Sequence, residues 1–493
     1  MSFLGDVTKL SSGSLAAQAV TIAAIPVLTR IFSPEAFGIA GLFATISGII
    51  GGLACLRYDL AIVLPDGDNK AAKLYIGALM LVFCTALFVA LFLLVAADEI
   101  LEVFKVQQIG SFLWLLPPMI FITGINFASI NWSIRKKRFG QLSVSRMINS
   151  GGKVAVQLFM GLLGWVTCGT LILGATAGQA MATVLLSLSI WIKDGQLIKK
   201  SFHPVQIWCI LRRYAEFPKY VIWSGLLVDA SLKLPIFIIA YFFTPKELGF
   251  FVLIQSILKL PLEIIGQSIS NVFFQRAAEL KNDIHHLAAQ VVNLFTFLNT
   301  VIIPPALFLA VLGSDIVTLL FGANWGEAGI YLQIMVFSVI VEFVTAPLGP
   351  LFNVLEKQKE ALRFNLLLMM VRLLTLVAGG ITGNIRLTIG LYVLGDIIAR
   401  SIKFQYIFRQ VCLSLKKMTR ISIGKLLLVF PFLIGLIFLN HSFNFHPFVV
   451  ILVAIVFTAV YYGINLYKTG TGEWGRSRLS EYLRSMASDY SHR

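Results

Sequence analysis

Ten ionisable side chains fall inside otherwise apolar runs of this chain: Lys153, Asp229, Lys233, Lys259, Glu263, Glu342, Arg372, Asp396, Arg400 and Lys403. A charge at mid-bilayer costs at least about 2.5–3.5 kcal/mol, so such groups face a bundle interior or water and mark a path for a polar passenger. Asp229–Lys233, Lys259–Glu263 and Asp396–Arg400 are opposite charges four residues apart, a spacing that sets both partners on one helical face. Each pair either neutralises itself for burial or lines a hydrated cavity. The cavity is the expected place for the first two, and both readings stay open for Asp396–Arg400, which lies nearer the end of its run. Lys153 and Arg372 have no acid at i±4 and need water, another helix or an anionic ligand, again with the cavity as the expected place. Glu342 stands alone, to be protonated or to hold a cation. Arg30 and the triplet Arg57-Tyr58-Asp59 sit at opposite ends of two runs and read as anchors or as gate residues. Six bases against four acids point to an anionic passenger. Lysine and arginine suit a pyrophosphate, as point charge and as bidentate fork. An inside-negative potential helps an anion outward by about 2.3 kcal/mol per charge per 100 mV.

The elements that carry these charges must be membrane helices. The chain has 493 residues, 58% hydrophobic and 13% charged, with a mean hydropathy of +0.85. Soluble domains are about 45–50% apolar and about 25% charged, so a soluble, disordered or disulfide-framed protein is excluded. Fourteen apolar runs follow one another from 10–29 to 446–466, each near the roughly 20 residues that span a bilayer. The first reads as a span rather than a cleaved signal peptide, because the chain keeps crossing. With the N-terminus in the cytoplasm, 30 of the 40 Lys and Arg fall in cytoplasmic segments and only Arg30, Lys105, Lys246 and Arg386 in outer loops. This is the positive-inside pattern, and it places both termini in the cytoplasm. The net charge of +16 is then mostly orientation signal facing an anionic leaflet, not a nucleic-acid surface.

A repeat organises the spans. Phe32-Ser-Pro-Glu-Ala-Phe-Gly38 joins the first span to the second, and Phe243-Thr-Pro-Lys-Glu-Leu-Gly249 joins the seventh to the eighth, at one offset of 211. Ser33 or Thr244 caps the free N–H groups of a helix start and Pro follows at its first position, with Glu247 completing a capping box. Asn131-x-x-x-Arg-x-Lys137 is echoed by Asn353-x-x-x-Lys-x-Lys359. Six spans apart means equal orientation. The expected fold is an all-α polytopic membrane protein of 14 transmembrane helices, two parallel six-helix repeats plus two C-terminal helices, with a binding site between the repeats. The expected parts are a lobe at 1–192, a cytoplasmic linker at 193–214, a second lobe at 215–408, two further helices at 409–466 and a cytoplasmic tail at 467–493. Val205 to Arg213 reads as an amphipathic interfacial helix, either an elbow between lobes or a plain surface linker. Pro26 and Pro235 lie at matching depths in repeat-related spans, as transport-site breaks or as ordinary kinks. Gly48-x-x-x-Gly52 and Gly174-x-x-x-Gly178 fit close helix packing.

Several chemistries find no residues. No GxxxxGK[ST] phosphate loop is present, which argues against ATP-driven transport by this chain alone. The five cysteines form no CxxC pair and His285-His286 stands apart, so neither disulfides, metal nor cofactor is expected. Outer loops are too short to host the active site of a glycan polymerase or ligase, and no enzymatic activity is expected.

Val27-Leu-Thr-Arg-Ile-Phe-Ser-Pro-Glu-Ala-Phe-Gly38, followed by Leu56-Arg-Tyr-Asp-Leu-Ala-Ile-Val-Leu64, resembles the opening of bacterial polysaccharide-biosynthesis membrane proteins. These are the Wzx-type flippases of O-antigen, capsule and exopolysaccharide units in the MOP superfamily, which also holds the MATE exporters and the lipid II flippase MurJ. The resemblance implies a V-shaped bundle in the bacterial inner membrane with a cationic central cavity lined by spans 1, 2, 7 and 8. It also implies a groove for a lipid tail at helices 13 and 14. It implies alternating-access passage of undecaprenyl-pyrophosphate-linked oligosaccharide, with a polysaccharide polymerase and a chain-length regulator as partners. Arg30, Arg57, Asp59, Asp229, Lys233, Lys259 and Glu263 fit cavity roles by span and depth. The substrate-binding set expected is Arg30, Arg57, Lys153, Lys233, Lys259 and Arg372. The set expected for ion coupling or charge pairing is Asp59, Asp229, Glu263, Glu342, Asp396 and Arg400. A cation-coupled, MATE-like exporter of small molecules is the alternative, and it predicts an acid-dominated site.

Overall fold

The computed structural model describes residues 3–103, 107–443 and 447–471, so most of the expected tail lies outside the described residues. Among them every regular element is helical. The first group is α1 (Phe3–Ile31), α2 (Pro34–Leu53), a single turn α3 (Tyr58–Ala61), α4 (Asp68–Val103), α5 (Leu116–Arg135), α6 (Phe139–Leu162) and α7 (Cys168–Lys200). A short α8 (Pro204–Arg213) leads to α9 (Ile222–Phe242), α10 (Pro245–Pro261), α11 (Gln267–Glu279), α12 (Ile284–Phe321), α13 (Gly326–Thr345), a turn α14 (Leu351–Val354), α15 (Gln358–Ile381) and α16 (Ile385–Gln410). The chain then forms α17 (Leu415–Phe443) and α18 (Pro447–Thr471), which pack on α12.

Among the described residues, eleven helices are long and apolar enough to cross a membrane, or twelve when the bent pair α10–α11 is taken as one span. The protein is therefore a multi-pass membrane protein. The sequence reading of fourteen spans differs by α6 and α16. Both are long enough, at 24 and 26 residues, but they carry charge into the interior: Arg146 and Lys153 on α6, and Asp396, Arg400 and Lys403 on α16. These helices are shielded by neighbours, α6 by α1 and α7, α16 by α13 and α15. Arg146 meets Ser14, Asp396 and Arg400 pair with each other, and Lys403 meets Asn365.

The helix starts form as their residues dictate. The Ala36 N–H donates to Ser33 Oγ, and Thr244 and Glu247 close a reciprocal capping box, with the Thr244 N–H donating to Glu247 Oε2 at 2.9 Å. The echoed turns at the opposite, lysine- and arginine-rich face also share a geometry. Lys137 and Glu356 are both left-handed, and each is followed by an N–H that reaches back five residues, Arg138 to Ser133 and Lys357 to Phe352. That is a Schellman-type helix stop. The matching left-handed residues stand 219 apart, whereas the asparagines stand 222 apart, so the likeness is one of turn type and not of register.

Helix α8 is amphipathic as expected. Ile207 and Ile210 are buried, while Val205 and Trp208 are exposed. The Tyr58 hydroxyl donates to the Leu211 carbonyl at 2.9 Å, tying α8 to α3. Helices α1 and α9 run on through Pro26 and Pro235. The marked break lies elsewhere, in a π-helical turn at Leu262–Gly266 directly after Pro261, where the span bends by 42°. A proline and a π-bulge are the usual physical causes of such a kink.

Candidate functional site

At the face carrying the 31–34 and 242–245 turns, the two helix groups are sealed together. Helices α2 and α10 cross at Gly38 and Gly249, and a methyl group on either would land on a backbone carbonyl oxygen of the other strand of the crossing, Pro245 or Pro34. Trp325 is fully buried beside them. Its indole N–H donates to the Thr29 carbonyl at 2.9 Å, and Phe37 and Phe250 meet its ring edge-on. Arg30 lies at this sealed end, exposed, with its guanidinium on the Leu319 carbonyl. It is thus apart from the cavity described next, where the sequence had set it among substrate-binding residues.

Toward the basic face the groups separate around a cavity of about 500 Å3. Its wall is built from α1 (Ser14, Gln18, Thr21), α6 (Arg146, Asn149) and the lower part of α10 with the π turn (Ser256, Lys259, Glu263). Arg146 donates to Ser14 Oγ. Gln18 Oε1 is buried with no hydrogen-bond partner among the described residues. Lys259 has no carboxylate within 4 Å among the described residues, so the Lys259–Glu263 bridge that the spacing allows is not made. Two cationic groups, one acid and the unmatched Gln18 oxygen leave a polar, net-positive surface able to hold an anionic group.

Next to it, three charged residues join the two helix groups. Arg57 is left-handed (φ 61°) between α2 and α3, and its guanidinium reaches Asp229 of α9 at 3.3 Å. The spacing had paired Asp229 with Lys233; the tertiary partner displaces it. Lys233 instead extends toward α2, where a methyl group on Gly48 would stand 2.9 Å from its Nζ. Gly48 therefore leaves room for an ammonium, and Gly52, with nothing near it, serves no helix contact. Gly174 and Gly178 do pack α7 closely on α6, against Gln157 and Asn149. Asp59 is 3% exposed and accepts from the Asn131 amide at 3.3 Å, inside the first group rather than in the passage.

Five further expected site residues, Lys153, Arg372, Asp396, Arg400 and Glu342, are not in the wall of that cavity. Lys153 lines an adjoining, mostly apolar cavity of about 250 Å3, which shares Thr21 and Ser256 with the central one and is bounded by Val252 and Leu253 of α10. Arg372 is buried and bound to Asp396 of the next helix at 2.6 Å and to Ser231 of α9. Its missing acid is supplied by another helix, not by a ligand or the passage. Asp396 also takes Arg400, at 2.7 Å, as the spacing indicated, and Arg400 takes Glu342 at 3.0 Å, so Glu342 is not alone. On the basic face Lys281 meets Glu356 at 2.6 Å and holds that carboxyl below its usual range.

Sequence reasoning placed Arg146 among orientation charges and missed it as a cavity residue. The signal was present: Arg146 and Lys153 are seven apart, two turns along one helical face. Trp325 and the π turn carried no comparable signal.

The family described as polysaccharide biosynthesis protein matches residues 27–329. An uncharacterized membrane protein in the cps region of Klebsiella pneumoniae is 24% identical over 352 residues, covering 69% of this chain and 68% of that protein. An inward-facing multidrug-resistance MATE transporter of the MOP superfamily superposes with a TM-score of 0.66 at 15% identity, over 83% of this chain and 99% of its own. The lipid II flippase MurJ in an inward closed conformation gives 0.66 at 13% identity, over 92% and 99%. The fold is that of the MOP transporters.

Proposed function

This chain belongs to the polysaccharide biosynthesis protein family, and from that premise we propose that it is a flippase for lipid-linked oligosaccharide, undecaprenyl-pyrophosphate-borne in the simplest case. The lipid stays in the bilayer while the pyrophosphate-sugar head crosses by alternating access between two parallel six-helix repeats of a fourteen-span bundle. The bundle sits in the bacterial inner membrane with both termini cytoplasmic, and the product feeds O-antigen, capsule or exopolysaccharide assembly.

The observation that carries this reading is the cavity of about 500 Å3 with Arg146 and Lys259 in its wall, open between the helix groups while the other end is shut at Gly38 and Gly249. A head group enters from the basic face and is met by ammonium and guanidinium donors. Lys259 holds a phosphate oxygen as a point charge, Arg146 offers a fork, and Lys233 waits deeper beside Gly48. Arg57 and Asp229 form the adjoining gate.

Charge-assisted hydrogen bonds are worth about 1.5–3 kcal/mol, so Lys259→Ala is expected to slow flipping about 10- to 100-fold. Lipid-linked units would accumulate on the cytoplasmic leaflet and surface polysaccharide would fall. Normal surface polysaccharide in cells whose only copy is a Lys233/Lys259 double alanine variant, present in the membrane at normal level, would falsify the reading. The MATE-like exporter alternative predicts drug hypersensitivity of a deletion strain with unchanged glycan; the excess of base over acid in the cavity speaks against it.

A further inference from the structure

The second helix group contains a smaller cavity of about 160 Å3 between α9, α13, α15 and α16, apart from the central one. Its polar wall is Ser231, Glu342, Asn365, Arg372, Arg400 and Lys403. The charges there do not cancel. Arg372 and Arg400 are matched by Asp396 and Glu342 in a closed set of ion pairs. Lys403 is left over. Its ammonium donates to the Asn365 side-chain oxygen at 2.9 Å and lies 5.5 Å from the Phe352 ring centre, both neutral groups, and no carboxylate stands within 4 Å among the described residues. An ammonium has three donors, and a buried charge without a counter-charge is costly.

The rim of the same cavity is apolar and exposed. Val228 and Leu232 of α9 and Leu362 and Leu366 of α15 are between 37% and 47% accessible. A cationic floor under an open apolar rim suits an anionic head with hydrocarbon attached. Room is sufficient: a buried water needs about 10–15 Å3 by this measure, and a phosphate displaces only a few.

We propose that this pocket is an anion site distinct from the central cavity, taking a phosphate group with Lys403 as its direct ligand and Arg400 beside it. The phosphate belongs to a phospholipid head group entering between α9 and α15, or to free inorganic phosphate. Bound there, it neutralises the surplus charge that the ion-pair set leaves.

The test uses the full chain purified in mild detergent and in nanodiscs containing phosphatidylglycerol. Native mass spectrometry reads retained lipid, and thermal melting in the presence of inorganic phosphate reads the free anion. Wild type and Lys403→Arg are expected to retain phosphatidylglycerol, while Lys403→Gln weakens it by about tenfold or more, the effect of one charge-assisted contact. Phosphate-dependent stabilisation lost in Lys403→Gln, without lipid retention, assigns the free anion. The central-cavity variant Lys259→Ala is expected to keep either response. If neither ligand binds wild type, or if binding is indifferent to Lys403→Gln, or if it disappears in Lys259→Ala, the separate site is overturned.

Discussion

The two faces of the bundle join the helix groups by different physics. At the turn face, α2 and α10 meet backbone to backbone at Gly38 and Gly249, with Trp325 packed beside them. At the basic face the same two groups are joined near the cavity by Arg57 and Asp229, whose side chains are 19% and 44% exposed. A glycine crossing has no side chain to swing aside, so it separates only by moving whole helices. A half-exposed ion pair is screened by water and is worth about 0–1 kcal/mol. The difference means that this conformation is held more firmly by the dry end than by the charged one. On the proposed function, an incoming phosphate would compete with Asp229 for Arg57 and so couple binding to the gate at little energetic cost.

The largest effect is expected at the dry seal. Gly249→Val places carbon where the Pro34 carbonyl already is. Overpacking of this kind costs about 1–3 kcal/mol, read as a lower melting temperature in detergent, together with loss of transport because the crossing cannot close. Unchanged melting and normal transport would show that the crossing is not a seal. A smaller effect is expected at the charged gate. In a double-mutant cycle of Arg57→Ala and Asp229→Asn, scored by transport rate, the coupling should stay below about 1 kcal/mol. A coupling of several kcal/mol would mean a desolvated lock and would erase the contrast between the ends. Least affected is the glycine pair on α2. Gly52→Ala should shift stability by no more than about 0.5 kcal/mol, whereas Gly48→Ala crowds Lys233 Nζ and should impair transport more than it impairs folding. Equal behaviour of the two substitutions in the transport assay would remove Lys233 from the passage.

What could be read in advance follows from locality. The helix starts at Ser33 and Thr244 and the amphipathic α8 were legible because capping and helical periodicity are settled within a few residues. Ion pairing was legible only in part. Asp396–Arg400 forms at i,i+4, but Asp229 goes to Arg57 and Lys259 stays free of Glu263. A shared helical face allows a pair; it does not exclude a closer partner on a neighbouring helix. The same reason removed Arg372 from the expected cavity, since Asp396 and Ser231 lie against it from α16 and α9.

Sequence by itself determined that the chain lives in a membrane, where helices begin and end, and that a surplus of positive charge must be housed among apolar spans. Apolar content, caps and charge counts are properties of short stretches and survive any packing. The tertiary structure alone decided what meets: that Gly38 and Gly249 cross, that Arg146 joins Lys259 around one cavity, and that Lys403 has no acid within 4 Å among the described residues. Electrostatic partners are chosen by distance through space, and those distances exist only once the helices have packed.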